Sequence, residues 1–193
     1  QVLGDVPGLA LRGISKDFPW PGSRCGWIEM LNSDSSQEFR EYCDGLVKSK
    51  MMEVCSTTLP QLAISAVYSD PRYQELKQKR AKMFERRSNQ VYEYFSNNVP
   101  GTIVRRTQGA FYFCVAFQDG VLNDKQTLPI ADTATREFVE HSVKGVDLDK
   151  RFVHYMMASE GVCVTPLTGF HTDILGFRLT TLDPDDSHRA KIL

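Results

Sequence analysis

From Asp70 to Gly101 the sequence keeps one helical period for longer than anywhere else in its 193 residues. Tyr73, Leu76, Met83, Phe84, Val91 and Phe95 make an apolar stripe along it. Ser69-Asp70-Pro71 is a start signal, with Asp70 as N-cap and Pro71 at the first helical position. Asn97-Asn98-Val99-Pro100-Gly101 is a stop. The spacing predicts a helix of roughly seven turns, and the remaining elements must be organised around it.

Ahead of that helix, Leu9 to Leu11 reads as a buried strand ending near Lys16, and Gly26 to Leu31 as a second strand. Ser33 to Lys50 reads as a helix capped by Ser35 or Ser36, with Phe39, Cys43, Leu46 and Val47 at helical spacing. Leu59 to Tyr68 is a shorter apolar helix. Beyond the long helix the texture changes. Ile103 to Arg106 and Ala110 to Phe117 are rich in aromatic and β-branched residues and predict strands. Thr133 to Val143 and Asp149 to Ser159 predict helices, and Gly161 to Thr165 and Ile174 to Thr181 two more strands. The tail DPDDSHRAKIL begins another helix or frays. The pattern is that of an α/β (α+β) chain with a mixed or antiparallel sheet.

A hydrophobic fraction of 41% and a charged fraction of 24% are those of an ordinary globular protein able to bury a core without staples. The net charge of −1 gives no general attraction to nucleic acid or acidic membranes. Five scattered cysteines without a CxxC pair point to reduced thiols, and so to a cytoplasmic setting. Neither they nor the four histidines have zinc-ligand spacing. The chain opens without Met and reaches a strand almost at once, so a preceding N-terminal part is expected.

The chemistry concentrates in GISKDFPWPGSRCGW, Gly13 to Trp27. A lysine amine becomes useful when it condenses with an anchored carbonyl. A guanidinium in a Gly/Pro-braced turn suits a phosphate, because its planar fork meets two oxygens at once. Lys16, Arg24 and Ser15 thus make sense together around a phosphorylated aldehyde, and pyridoxal phosphate is such a ligand. By themselves, a Lys and an Arg in a turn are more often solvated surface residues. Cys25 beside Arg24 lacks an identifiable His partner and reads as a packed thiol.

In register, Gly13, Ser15, Lys16, Gly22, Arg24 and Gly26 resemble the lysine motif of the fold-type I, class I/II pyridoxal-phosphate-dependent aminotransferases. Gly109-Ala110-Phe111-Tyr112 is similar to a small-domain strand of that family, and Gly161-Val162-Cys163-Val164-Thr165-Pro166 to its GVxVxPG segment, with Leu167 where a Gly is usual. Gly176-Phe177-Arg178-Leu179 is similar to the strand whose arginine grips the substrate α-carboxylate. In a strand, Phe177 and Leu179 share one face and Arg178 projects from the other. Pro19, Trp20 and Cys25 depart from the family pattern, and Gly13 supplies no phosphate-binding hydroxyl, which marks a divergent subfamily.

The resemblance covers essentially the whole chain, yet corresponds only to the C-terminal half of such an enzyme. It implies that residues 1–58 are a strand-turn-strand-helix remnant of the large, cofactor-binding domain, and that 59–193 form the C-terminal small domain with its long linking helix. It further implies Lys16 as catalytic residue and Schiff-base lysine, Ser15 and Arg24 on the cofactor phosphate, and Arg178 on the substrate carboxylate. The implied activity is amino-group transfer between an amino acid and a 2-oxo acid, with a homodimer as the working form. The family's Asp on the pyridine nitrogen, its Asn or Tyr near the ring oxygen and its stacking aromatic all precede the lysine, so a fragment lacking them is expected to be inactive alone.

Three alternatives stand beside this reading. The chain can be a non-catalytic isolated domain. It can serve a lyase, decarboxylase or synthase of the same fold, since fold does not fix reaction. The basic run Lys77, Lys79, Arg80, Lys82, Arg86 and Arg87 can be a nucleic-acid surface, but Glu75 and Glu85 are its local helical partners and no recognised motif accompanies it. Substrate choice draws on residues this sequence does not contain; His171, seven residues before Arg178, is a candidate pocket residue or an ordinary loop histidine.

Overall fold

The computed structural model describes residues 3–192. Two compact units, Gln1–Gln74 and Glu75–Leu193, divide the chain at a point inside its longest helix.

In the first unit β1 (Gly8–Gly13) is followed by one helical turn, α1 (Ile14–Asp17), and a 3-10 turn over Pro21–Ser23. The chain then returns as β2 (Gly26–Leu31), antiparallel to β1 with Gly8 opposite Leu31 and Gly13 opposite Gly26. The strand expected to run toward Lys16 ends at Gly13, because the two backbones close together there. A Cβ on Gly26 would stand 2.7 Å from the Arg12 carbonyl oxygen. Next come α2 (Gln37–Met51) and α3 (Thr58–Ser69). Of the two serines able to cap α2, Ser36 does so, its Oγ accepting from the Phe39 N–H at 3.1 Å.

α4 (Arg72–Asn98) starts one residue later than the sequence predicts, with Asp70 Oδ1 accepting from the Arg72 N–H at 2.8 Å. In the second unit β3 (Thr102–Val104) and β4 (Tyr112–Phe117) follow, then α5 (Thr133–Ser142), α6 (Leu148–Glu160), β5 (Thr165–Pro166), β6 (Gly176–Thr180) and α7 (Asp186–Ile192). The four strands lie in the order β3-β4-β6-β5, every neighbouring pair antiparallel. Helices packed on an antiparallel sheet give the α+β class the sequence predicts. Val91, Phe113, Val115, Val153, Val164 and Phe177 form the main core. A second cluster joins Ile130 to Val139, Val143 and Tyr155.

Two expectations change in detail. The strand expected over Gly161 to Thr165 is reduced to Thr165–Pro166. Gly161 ends α6 in the left-handed conformation, φ 69°, and the chain must turn away from the helix before it can pair. The apolar stripe of α4 is also displaced. At about 100° per residue Leu76 lies within roughly 20° of Arg87, but it stands fifteen residues before Val91, outside the main core, and is 61% exposed. Arg87 and Ser88 occupy the buried line instead.

Candidate active site

Lys16, Ser15 and Arg24 all lie in the twelve-residue loop 14–25 that closes the β1–β2 hairpin. Pairing of Gly13 with Gly26, and the Ile14 N–H on the Cys25 carbonyl at 3.3 Å, bring the two ends of this loop together. Lys16 and Arg24 therefore leave the same end of one hairpin. Ile14, wholly buried, anchors the first turn. Its carbonyl accepts from the N–H groups of Phe18 and Trp20, and Ser23 Oγ donates to the Trp20 carbonyl at 2.8 Å. Two prolines and this ladder of short-range bonds account for a loop with little freedom.

Arg24 has φ 51°, left-handed backbone that a non-glycine residue adopts at a cost of about 1–3 kcal/mol. Its own Nη1 offsets part of that cost by donating to the Pro21 carbonyl at 3.0 Å. The side chain also borders a groove of about 990 Å³ within the first unit, together with Cys25, Trp27, Leu46 and Lys50. Lys16 and Ser15 are outside the lining of that groove.

The loop contains one carboxylate, Asp17, directly after Lys16. Its Oδ2 accepts from Tyr68 Oη at 2.8 Å and from Tyr73 Oη at 3.2 Å. The Tyr68 and Tyr73 rings meet edge to face with centroids 5.0 Å apart, and Tyr68 meets Trp27 likewise at 6.2 Å. Burial first, and the bond to Asp17 second, push the Tyr68 phenol above its ordinary value. Sequence reasoning missed this clamp. Tyr68 and Tyr73 lie more than fifty residues from Asp17, and as helix aromatics they carry no local sign of polar work.

Arg178, in the second unit, lies on β6 with Cys114 opposite it on β4 and Thr165 on β5. Phe177 is buried and Leu179 packs against the core, so the alternation predicted for this strand holds. The Arg178 guanidinium lies over two aromatic rings, with Cζ 4.3 Å from the Tyr112 centroid and 4.3 Å from that of Phe170. Among the described residues no hydrogen bond or ion pair takes its N–H edge. A planar cation braced by two rings, with an available N–H edge, is suited to a carboxylate approaching in its own plane. Phe170 ends the 3-10 turn Leu167–Phe170, and the candidate His171 follows it as an exposed residue at φ 56°. No sequence signal connected Phe170 with Arg178; the sheet and the turn do so.

The family model for aminotransferase class I and II matches residues 2–190. An uncharacterised aminotransferase of Methanocaldococcus jannaschii is 45% identical over 186 residues, which are 96% of this chain and 43% of that protein. An inactive alanine aminotransferase of Saccharomyces cerevisiae is 27% identical over 86% of this chain and 31% of its own length. The chain therefore spans less than half the length of these curated relatives. Among solved structures, an alanine aminotransferase from Pyrococcus furiosus superposes with a TM-score of 0.66 at 24% identity, over 96% of this chain and 40% of that one. An aspartate aminotransferase from Rhizobium meliloti gives 0.61 at 23% identity, over 89% and 36%. These two show a shared fold. With a family match along nearly its whole length and a relative at 45% identity, the chain belongs to the class I and II aminotransferase family.

Proposed function

We propose that this chain supplies the lysine and two arginines of a pyridoxal-phosphate-dependent aminotransferase acting on an amino acid and a 2-oxo acid. The observation that supports the reading is the presence of Lys16 and Arg24 at the closed end of one hairpin in a chain of the class I and II aminotransferase family. The donor set fits the cofactor: an amine, a hydroxyl and a guanidinium, while the loop's one carboxylate is engaged by two tyrosines. When bound, pyridoxal phosphate supplies a carbonyl for the amine and a ring that withdraws electrons from the substrate. Ser15 and Arg24 hold its phosphate. Lys16, as general base and then general acid, would carry the proton between the substrate Cα and the cofactor. Arg178 orients the substrate by gripping its α-carboxylate. Residues 1–58 belong on this reading to the large domain and 59–193 to the small one; the protein works as a homodimer in the cytoplasm. Among the described residues no helix is long and apolar enough to cross a membrane.

The test is covalent capture. Full-length protein is mixed with pyridoxal phosphate, reduced with borohydride, digested and mapped. The label is expected on Lys16 and is expected to vanish in Lys16→Ala. A label confined to other lysines, with Lys16 unmodified, would overturn the assignment. A screen of amino acids against 2-oxoglutarate and pyruvate then names the substrate.

One observation favours a second reading. A relative matching 86% of this chain bears the name inactive alanine aminotransferase, so a non-catalytic member is a coherent alternative. It predicts no transamination in that screen.

A further inference from the structure

We propose that Asp149 is a positioning residue for carboxylate recognition: through Thr168 it holds Phe170 over the face of Arg178. The proposal rests on the carboxylate-binding reading of Arg178 given above and goes beyond it by assigning the residues that set its geometry.

Asp149 lies in the first turn of α6 and is fully buried, 0% exposed. A carboxylate out of water is costly unless hydrogen bonds replace its hydration. Here both oxygens go to one residue: Oδ2 accepts from the Thr168 N–H at 2.9 Å and Oδ1 from Thr168 Oγ1 at 2.7 Å. This two-pronged bond fixes the backbone and the side chain of Thr168 together. Thr168 is the second residue of the 3-10 turn Leu167–Phe170, and its carbonyl accepts from the His171 N–H at 3.3 Å, closing the turn. Phe170, two residues on, then has its ring 4.3 Å from Arg178 Cζ, the same distance as that of Tyr112.

The two rings beside the guanidinium are held differently. Tyr112 stands on β4, next to β6 in the sheet, and the ladder sets its place. Phe170 has no ladder to hold it, and its residue is 45% exposed. An exposed aromatic on a four-residue turn loses its stacking geometry unless the turn is pinned. The Asp149–Thr168 bond is the pin, and it accounts for a carboxylate buried in the first turn of α6. With both rings in place the Arg178 guanidinium is held; with one withdrawn, it gains rotamers and water.

The experiment follows the Arg178 Nε–Hε resonance in the full-length protein, assigned with Arg178→Lys, while 2-oxoglutarate is titrated. Phe170→Ala defines the ring-current contribution of Phe170. Asp149→Ala and Thr168→Val are expected to lose most of that contribution and to bind 2-oxoglutarate roughly five- to tenfold more weakly, the scale of one lost cation–π contact. Thr168→Ser, which keeps both donors, is expected to behave as the parent. Thr168→Val removes only the side-chain bond, so it reports even if Asp149→Ala does not fold. Retention of the Phe170 shift in both clamp variants overturns the proposal. So does loss of the shift with unchanged affinity, provided Arg178→Lys weakens binding. If Arg178→Lys itself binds 2-oxoglutarate like the parent, the carboxylate reading of Arg178 fails and takes the proposal with it.

Discussion

Tyr68 donates its phenolic hydrogen to Asp17 Oδ2 at 2.8 Å, joining α3 to the turn that presents Lys16 across fifty-one positions of sequence. Tyr68→Phe is expected to cost about 1 kcal/mol, the net worth of one hydrogen bond. Urea unfolding of the single and double variants with Asp17→Ala should give a double loss smaller than the sum, because both remove the same bond.

The same pair sets an alkaline limit. Burial, then the bond to Asp17, raise the Tyr68 phenol in the folded state. A raised pKa means that the stabilisation is fully present below the ordinary tyrosine value near 10 and is lost as pH rises beyond it. Ultraviolet titration should show one phenol ionising above the others. Asp17→Asn should lower that step; an unchanged step would remove Asp17 as a cause.

Two glycines should respond in opposite directions. A Cβ on Gly176 would stand 2.3 Å from the Val115 carbonyl oxygen and 2.9 Å from Ala116 Cα, so backbone would have to move. Gly176→Ala is expected to cost about 3 kcal/mol and to disturb the strand that carries Arg178. Gly45, inside α2, has nothing within 4 Å of such a Cβ. Gly45→Ala should stabilise by about 1 kcal/mol through helix propensity. Thermal unfolding of both variants checks the pair.

Arg87 is a structural cation. Only 5% exposed, it donates from Nη1 to the Thr181 carbonyl at 2.8 Å and pairs through Nη2 with Asp186 at 3.3 Å. Arg87→Met should cost about 2 kcal/mol by leaving a buried carbonyl without its donor. Arg87→Lys should recover part of it. Hydrogen exchange should place the loss in the segment following β6.

That segment should also loosen in acid. Asp183 is held below the ordinary carboxylate range first by the Asp185 N–H, Asp185 first by the Ser187 hydroxyl, and Asp186 first by Arg189. Depressed values place the stabilisation above the ordinary aspartate value near 4, to be lost as pH falls through the folded-state values. Amide exchange in α7 should therefore rise on acidification below pH 4, and in Asp185→Ala it should already be fast at neutral pH.

Local chemistry wrote much of this protein directly. The Asn-Asn-Val-Pro-Gly stop, the Ser36 cap, the strand composition of 112–117 and the fixed offsets around Lys16 depend on neighbours a few residues apart, and so could be read from order alone. The strand bearing Arg178 was legible for the same reason. Tertiary structure decided the rest. Arg87 entered a buried line that a charge is expected to avoid, because carbonyls from the far end of the chain meet it there. Asp17 found its tyrosines, and Arg178 its Phe170, by hydrogen bonds and ring contacts between residues that sequence spacing leaves unrelated. A period can show which side of an element is apolar; which distant polar group makes a buried charge tolerable is settled only when the chain closes on itself.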